Sequence, residues 1–326
     1  MSDKHDDDQF DTSAVTPPQP DFGETLQALR DYENKDTGTT AIYGLSGITQ
    51  DQLAEVKPLW EALKPVSRRK IMREIATKSE VDFMLEYSIF GNFGLDDADS
   101  GVREAAIDTL WFDNSLTLMN RLIKMAENDT DIDVRASALN EVGRFILMGE
   151  LEDIPQEDTL PAQELAVRIW NDYNQLDDVR RRALEAISRC SHKIVTEAIT
   201  EAYNSSSQPL RVSALFAMGY TYNERWASTV LKEIESADPE IRYEATRAAG
   251  SLELMEAVPA LARLSVEGDR EIELMAIWSL GEIGGKEVMR ILAELAEQAE
   301  ESEDDDLLEA VDDAVINATL TSDLGL

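Results

Sequence analysis

The chain is poor in the residues that carry most catalytic and metal chemistry. It has one cysteine, Cys190, so no intramolecular disulfide can form and a reducing compartment is expected. It has two histidines, His5 and His192. Metal centres usually need three or four ligands at workable spacing, and none accompany the Cys190–His192 pair, so no metal is expected. No GxGxxG or GxxxxGK[ST] element occurs, which leaves nucleotide binding without sequence support and no cofactor expected. No apolar run approaches the length of a membrane span. The opening MSDKHDDDQFDTS has neither a basic leader nor an apolar core, so it does not read as a signal peptide, and a cytoplasmic location is expected. Basic residues are outnumbered as well: 30 Lys and Arg stand against 66 Asp and Glu, a formal net charge of −36. Phosphate affinity comes from clustered Lys and Arg, so nucleic acid is excluded as a partner, and an anionic membrane surface with it. A basic protein partner stays open, because steering follows charge complementarity.

What the chain has is helix-forming apolar residues. Hydrophobic residues make up 43% and aromatics only 6%, which leaves Leu, Ala, Ile, Val and Met to build the core. Residues 1–21 carry six acids and end in a turn-rich TPPQP stretch, the pattern of a solvated tail. Residues 22–98 read as a helical segment. Phe22, Leu26 and Leu29 share a face, NKDTGTT breaks the pattern, and Thr49 is placed to cap a helix carrying Leu53, Val56, Trp60 and Leu63. Pro65 then ends that helix or opens the next, and Phe83, Met84 and Tyr87 follow a break near Lys78.

Residues 99–326 repeat. The stretches DSGVREAAIDTL, DIDVRASALNEV, LDDVRRRALEAI, SQPLRVSALFAM, DPEIRYEATRAA, DREIELMAIWSL and DDDLLEAVDDAV align on the apolar anchors Val102, Val134, Val179, Leu210, Ile241, Ile272 and Leu307. The anchors are 32, 45, 31, 31, 31 and 35 residues apart. Asp or Ser three residues before most anchors suits an N-cap, and Pro239 suits a first helical position. Small residues follow four and seven places after the anchor, which permits close helix packing. Gly143, Gly219, Gly250 and Gly281, nine places after, are expected near the helix end. A second helix then carries Leu122, Ile199, Val230, Leu261 and Leu292. A unit of about 31 residues cannot bury its own faces, so the units must stack into one continuous core. The long spacing reads as a loop insertion near 148–161, and the acids of 297–306 as a second loop.

The run DPEIRYEATRAAGSLELMEAVPALARL resembles HEAT repeats of the short bacterial type, the kind also found in phycobilin-lyase-like proteins. The resemblance implies an all-α fold, an α-α superhelix or right-handed solenoid. It also implies that Arg103, Arg135, Arg180, Arg211 and Arg242, each just after its anchor, stitch the stack, here through nearby Asp and Glu. HEAT-type deoxyhypusine hydroxylases carry several His-Glu pairs, and this chain has no His-Glu dipeptide.

Function is then expected to be that of a non-catalytic scaffold presenting an acidic solenoid surface, formed by the second helices, to protein partners. The alternative is a phycobilin-lyase-like or other cofactor-handling HEAT-repeat enzyme or chaperone. Tyr220, Tyr222 and Trp226, clustered at one inter-helix turn, are the candidate partner-binding residues, with packing on the neighbouring turn as their other reading. Trp60, Trp111, Trp170 and Trp278 are expected to fill the core. Twenty Arg against ten Lys also fits a saline habitat as the origin of the acidity.

Overall fold

The computed structural model describes residues 19–266 and 269–323. Most of the acidic tail read at 1–21, and His5 with it, lies outside the described residues. The described residues form helices joined by turns, with no strand among them. They fall into two compact units, Met1–Asn114 and Ser115–Leu326. None of their helices is long and apolar enough to cross a membrane.

The first unit holds α1 (Phe22–Asp31), α2 (Gly38–Gly44), α3 (Gln50–Ala62), α4 (Pro65–Val81), α5 (Ser88–Gly94) and α6 (Ser100–Thr109). Asp21 and Thr49 each form a capping box, with Glu24 and Gln52 reaching back to the cap backbone. Pro65 opens α4, where its missing N–H is harmless. NKDTGTT does break the helix, with α1 ending at Asp31 and α2 starting at Gly38. The break expected near Lys78 comes after Val81, which leaves Phe83 and Met84 exposed beyond the end of α4. The unit is centred on Trp60, whose ring meets Phe90 edge-on at 5.0 Å. Its Nε1 donates to Asp97 at 2.7 Å, and Arg68 reaches the same carboxylate at 3.0 Å. Arg68 also donates to the Leu63 carbonyl, so the buried charges are hydrogen-bonded as well as paired.

In the second unit follow α7 (Leu116–Asn128), α8 (Ile132–Glu150), α9 (Gln156–Trp170), α10 (Asp177–Ile187), α11 (Val195–Tyr203), α12 (Gln208–Tyr220), α13 (Ala227–Glu233), α14 (Pro239–Ser251), α15 (Val258–Leu264), α16 (Arg270–Ile283), α17 (Lys286–Ser302) and α18 (Asp305–Asp323). The even-numbered ones are the first helices of the sequence repeat. The anchors and the small residues four places on are buried in every copy, from Val134 and Ala138 to Leu307 and Val311. Asp131, Asp238, Asp269 and Asp304 cap their helices by accepting backbone N–H groups, while Ser207 makes no side-chain cap.

Successive first helices pack directly on one another: α8 on α10, then α12, α14, α16 and α18. The glycine column is a place of close approach between them; Gly219, Gly250 and Gly281 do lie within two residues of their helix ends, and only Gly143 sits well before its own. Gly143, Gly219, Gly250 and Gly281 all lie inside their helices. A Cβ on them would stand 3.1, 3.1, 2.7 and 2.8 Å from the Cα of Ala186, Ala248, Ser279 and Ala314, the small residues seven places after the next anchor. Each glycine thus fits against the small residue of the following copy.

The second helices seat chiefly on the first helix that follows them, α7 on α8, α11 on α12, α13 on α14, α15 on α16 and α17 on α18, except α9, which packs on α8 and α10 alike. The boundary between the compact units agrees, since it separates α6 from α7 and not one sequence repeat from the next.

Both expected loops are largely helical. Between 148 and 161, α8 extends to Glu150 and α9 begins at Gln156. Glu157 and Asp158 occupy the first turn of α9, where acids complement the helix dipole, and Thr159 and Ala162 begin its buried face. Residues 297–302 belong to α17, which ends at Glu303 in a left-handed conformation (φ 55°). Asp304 then caps α18, with Asp305 and Asp306 in its first turn. Of these acids, Glu157, Asp158 and Asp304 to Asp306 are helix-start residues in their preferred places, whereas Glu297, Glu300 and Glu301 belong to the last turns of α17.

Candidate partner-binding groove

Positions three, six and ten after each anchor share one face of the first helix, at helical spacing. In the second unit that face carries Ser137, Asn140 and Arg144 on α8; Arg182 and Glu185 on α10, with Arg189 in the turn just past its end; Ser213, Phe216 and Tyr220 on α12; Glu244, Arg247 and Ser251 on α14; Met275, Trp278 and Glu282 on α16. Its side chains interlock from copy to copy. Phe216 and Tyr220 stack with centroids 4.8 Å apart. The Arg247 guanidinium lies 4.3 Å from the Phe216 ring centre and 5.5 Å from that of Tyr220, and Arg189 lies 5.2 Å from Tyr220. Arg189 also donates to Asn140, and Arg247 to the Phe216 carbonyl and to Glu244. Glu185 is buried but accepts from Ser213 and from Arg182. Arg247 therefore rests on aromatic rings and is charge-matched by Glu244, while Arg189 rests on a ring and Arg182 pairs with Glu185.

Beside the stack a groove of about 300 Å³ opens between α12, α14 and α16. Tyr220, Tyr222, Met275 and Trp278 supply its apolar lining, and Arg247, Glu253 and Glu282 its charges. Tyr222 is 75% exposed and Trp278 37%. Burial, and then the charge of Glu253, push the Glu282 carboxyl above the ordinary range. Glu244 is raised too, by burial above all, with Arg247 pulling the other way. A second recess of about 290 Å³ lies on the same helices, around Tyr243, Glu240, Asp269 and Glu271.

The backbone at the groove mouth is unusual. Tyr222 has φ 47° and Glu253 φ 50°, both left-handed. They occupy the same repeat position, twelve after the anchor, where the next copy has Gly284 with φ 64°. Left-handed backbone costs an L-residue about 1–2 kcal/mol, and glycine is the relaxed solution. A tyrosine held there, with its ring in solvent, is a local cost without a packing return.

Of the three aromatics picked out at this turn, Tyr220 and Tyr222 line the groove. Trp226 is corrected: it is 9% exposed, under the Arg225 guanidinium at 5.5 Å, and does not line it. Among the other tryptophans, Trp60 and Trp170 are core, whereas Trp278 is a groove residue. Arg189, Phe216, Arg247 and Trp278 were missed. Their signal was the pair of columns six and ten after the anchor, which hold large side chains beside columns of small ones.

The repeat arginines work differently from expectation. Their common partner is the main chain before the first helix. Arg103 donates to the Asp97 carbonyl, Arg135 to Ala126, Arg180 to Trp170, Arg211 to Ser205 and Arg242 to Ser236. Arg135, Arg180, Arg211 and Arg242 thereby satisfy carbonyls at or just past the end of a second helix and fasten it to the next first helix. Arg180 adds a clamp: its guanidinium lies between Trp170 and Tyr173, 4.6 and 4.5 Å from the ring centres, and reaches Glu201 at 3.1 Å.

Cys190 is buried, and burial pushes its thiol above the ordinary range, which disfavours the thiolate. No group of three or more His, Cys, Asp or Glu among the described residues could hold a metal ion.

No curated protein matches the chain. Solved structures similar to it include YibA of E. coli, at 16% identity over 88% of this chain and 96% of that one, with a TM-score of 0.42. Human deoxyhypusine hydroxylase aligns at 15% identity over 91% of this chain and 96% of that one, with a TM-score of 0.35. Importin beta aligns at 13% identity over 91% of this chain but 41% of its own length, with a TM-score of 0.42. Residues 227–311, the stretch from α13 into α18 that brings Trp278 and Glu282 to the groove, match the family model described as HEAT repeats.

Proposed function

We propose that this chain is a non-catalytic adaptor whose second unit docks an extended segment of a partner protein along its first-helix face. The observation that carries this reading is Tyr222: a large ring exposed at the mouth of a groove, on backbone that glycine would relax. Tyr220 and Trp278 supply further aromatic surface on helices locked by their neighbours, and rigid aromatic anchors of this kind dominate binding energy in protein interfaces. Among the described residues, the recess on the second helix α11 is formed by Lys193, Thr196, Glu197, Thr200, Glu201 and Asn204, without an aromatic ring. The docking face is therefore assigned to the first helices. A single buried cysteine fits a reducing, cytoplasmic setting.

A photo-crosslinking residue at position 222, compared with one at Thr196, tests the assignment in the native host. Adducts at 222 and not at 196, lost when Tyr220 and Trp278 are replaced by Ala with the melting curve retained, are expected. Equal capture at both positions would refute the choice of face.

A further inference from the structure

We infer that the groove between α12, α14 and α16 seats a basic side chain, Arg or Lys, of the docked segment. The apolar stem lies against Tyr220, Tyr222 and Trp278, and the cationic head sits between the carboxylates of Glu253 and Glu282. This rests on the docking reading above and names the chemistry of the occupant.

Three observations carry it. The first is sign. Arg247, the one cation lining the groove, is neutralised by Glu244 at 2.8 Å and has its guanidinium turned onto Phe216. The charge of the groove is then set by Glu253 and Glu282. Among the described residues neither has an ion-pair partner; Glu282 accepts only a neutral hydrogen bond, from Asn317. An anionic or a purely apolar occupant would strip water from Glu282 without replacing its interactions.

The second is shape. A long basic side chain has an apolar stem and a charged tip, which suits aromatic walls and a carboxylate end. The third is an internal precedent. Arg180 is held by two aromatic rings and one glutamate, Trp170, Tyr173 and Glu201. The groove arrays the same residue types, an indole, phenol rings and glutamates, toward solvent.

The test uses the full-length protein labelled at the methionine methyl groups, with Met275 as the reporter inside the groove. The probes are the peptide acetyl-Gly-Ser-Arg-Ser-Gly-amide and its citrulline analogue, which keeps the shape and removes the charge. The arginine peptide is expected to shift the Met275 methyl resonance saturably, and the citrulline peptide to do so at least about tenfold more weakly. Glu253→Gln with Glu282→Gln should weaken arginine-peptide binding by a similar factor. Glu300→Gln with Glu301→Gln, which removes the same charge from an exposed stretch of α17, should leave it unchanged.

Three results would overturn the inference: an unmoved Met275, equal response to both peptides, or equal loss in both double variants. The last would mean that only the overall negative field is at work. Crosslinking at position 222 is read separately. A partner captured there as well by the Glu253→Gln, Glu282→Gln protein as by the parent would leave the docking face standing and remove the basic side chain from it.

Discussion

At the scale of single residues, the backbone at Tyr222 and Glu253 carries a prediction of its own. Both residues hold a positive φ that glycine adopts without the Cβ penalty. Tyr222→Gly is expected to raise stability by up to about 1 kcal/mol, read as a higher melting temperature, while it weakens partner capture. A fall in stability would show that the tyrosine ring has a packing role. Trp226 predicts the reverse pattern. Trp226→Ala should cost about 3–5 kcal/mol through the cavity it leaves, so urea denaturation and not a binding assay is where it registers. Sequence position alone could not separate these neighbours, because a cluster of aromatics at a turn says nothing of which ring the next helix covers. Arg247 and Trp278 were illegible for another reason. They are 31 residues apart in sequence, and only stacking makes them adjacent to Tyr220.

At the scale of helices, the glycine column opposes two effects of known size. Gly→Ala inside a helix ordinarily stabilises by about 0.5–1 kcal/mol. At Gly250 and Gly281 the new methyl group would meet the backbone of Ser279 and Ala314 at 2.7 and 2.8 Å, and overpacking of that kind costs about 1–3 kcal/mol. Net destabilisation is therefore expected for both Gly250→Ala and Gly281→Ala in urea titrations, and less of it at Gly219, where the clearance is 3.1 Å. A stabilised Gly281→Ala would contradict the close approach. Arg180→Met tests the other fastening. It orphans the Trp170 carbonyl and removes the buried arginine of an ion pair whose Glu201 stays in contact with water, so a loss of about 1–3 kcal/mol is expected. Helix pairs, caps and the small-residue stripe were legible because they recur in most copies. The helical state of 148–161 and 297–306 was not, because acids suit helix starts as well as loops.

At the scale of the whole molecule, the charge of −36 opposes compactness. Sodium chloride is expected to raise the melting temperature steadily and to level off near 1 M, where the screening length falls to about 3 Å. A melting temperature indifferent to salt would mean that the acids are already balanced locally, as Asp99 is by Arg69, which holds that carboxyl below its usual range. The order of packing has a separate consequence. Because a second helix seats on the first helix after it, the piece that is duplicated in the gene and the piece that coheres in the fold are offset by one helix. Anyone shortening, lengthening or grafting this array should splice ahead of a second helix, as at Ser115. A cut between sequence copies would strand a helix from the surface that holds it.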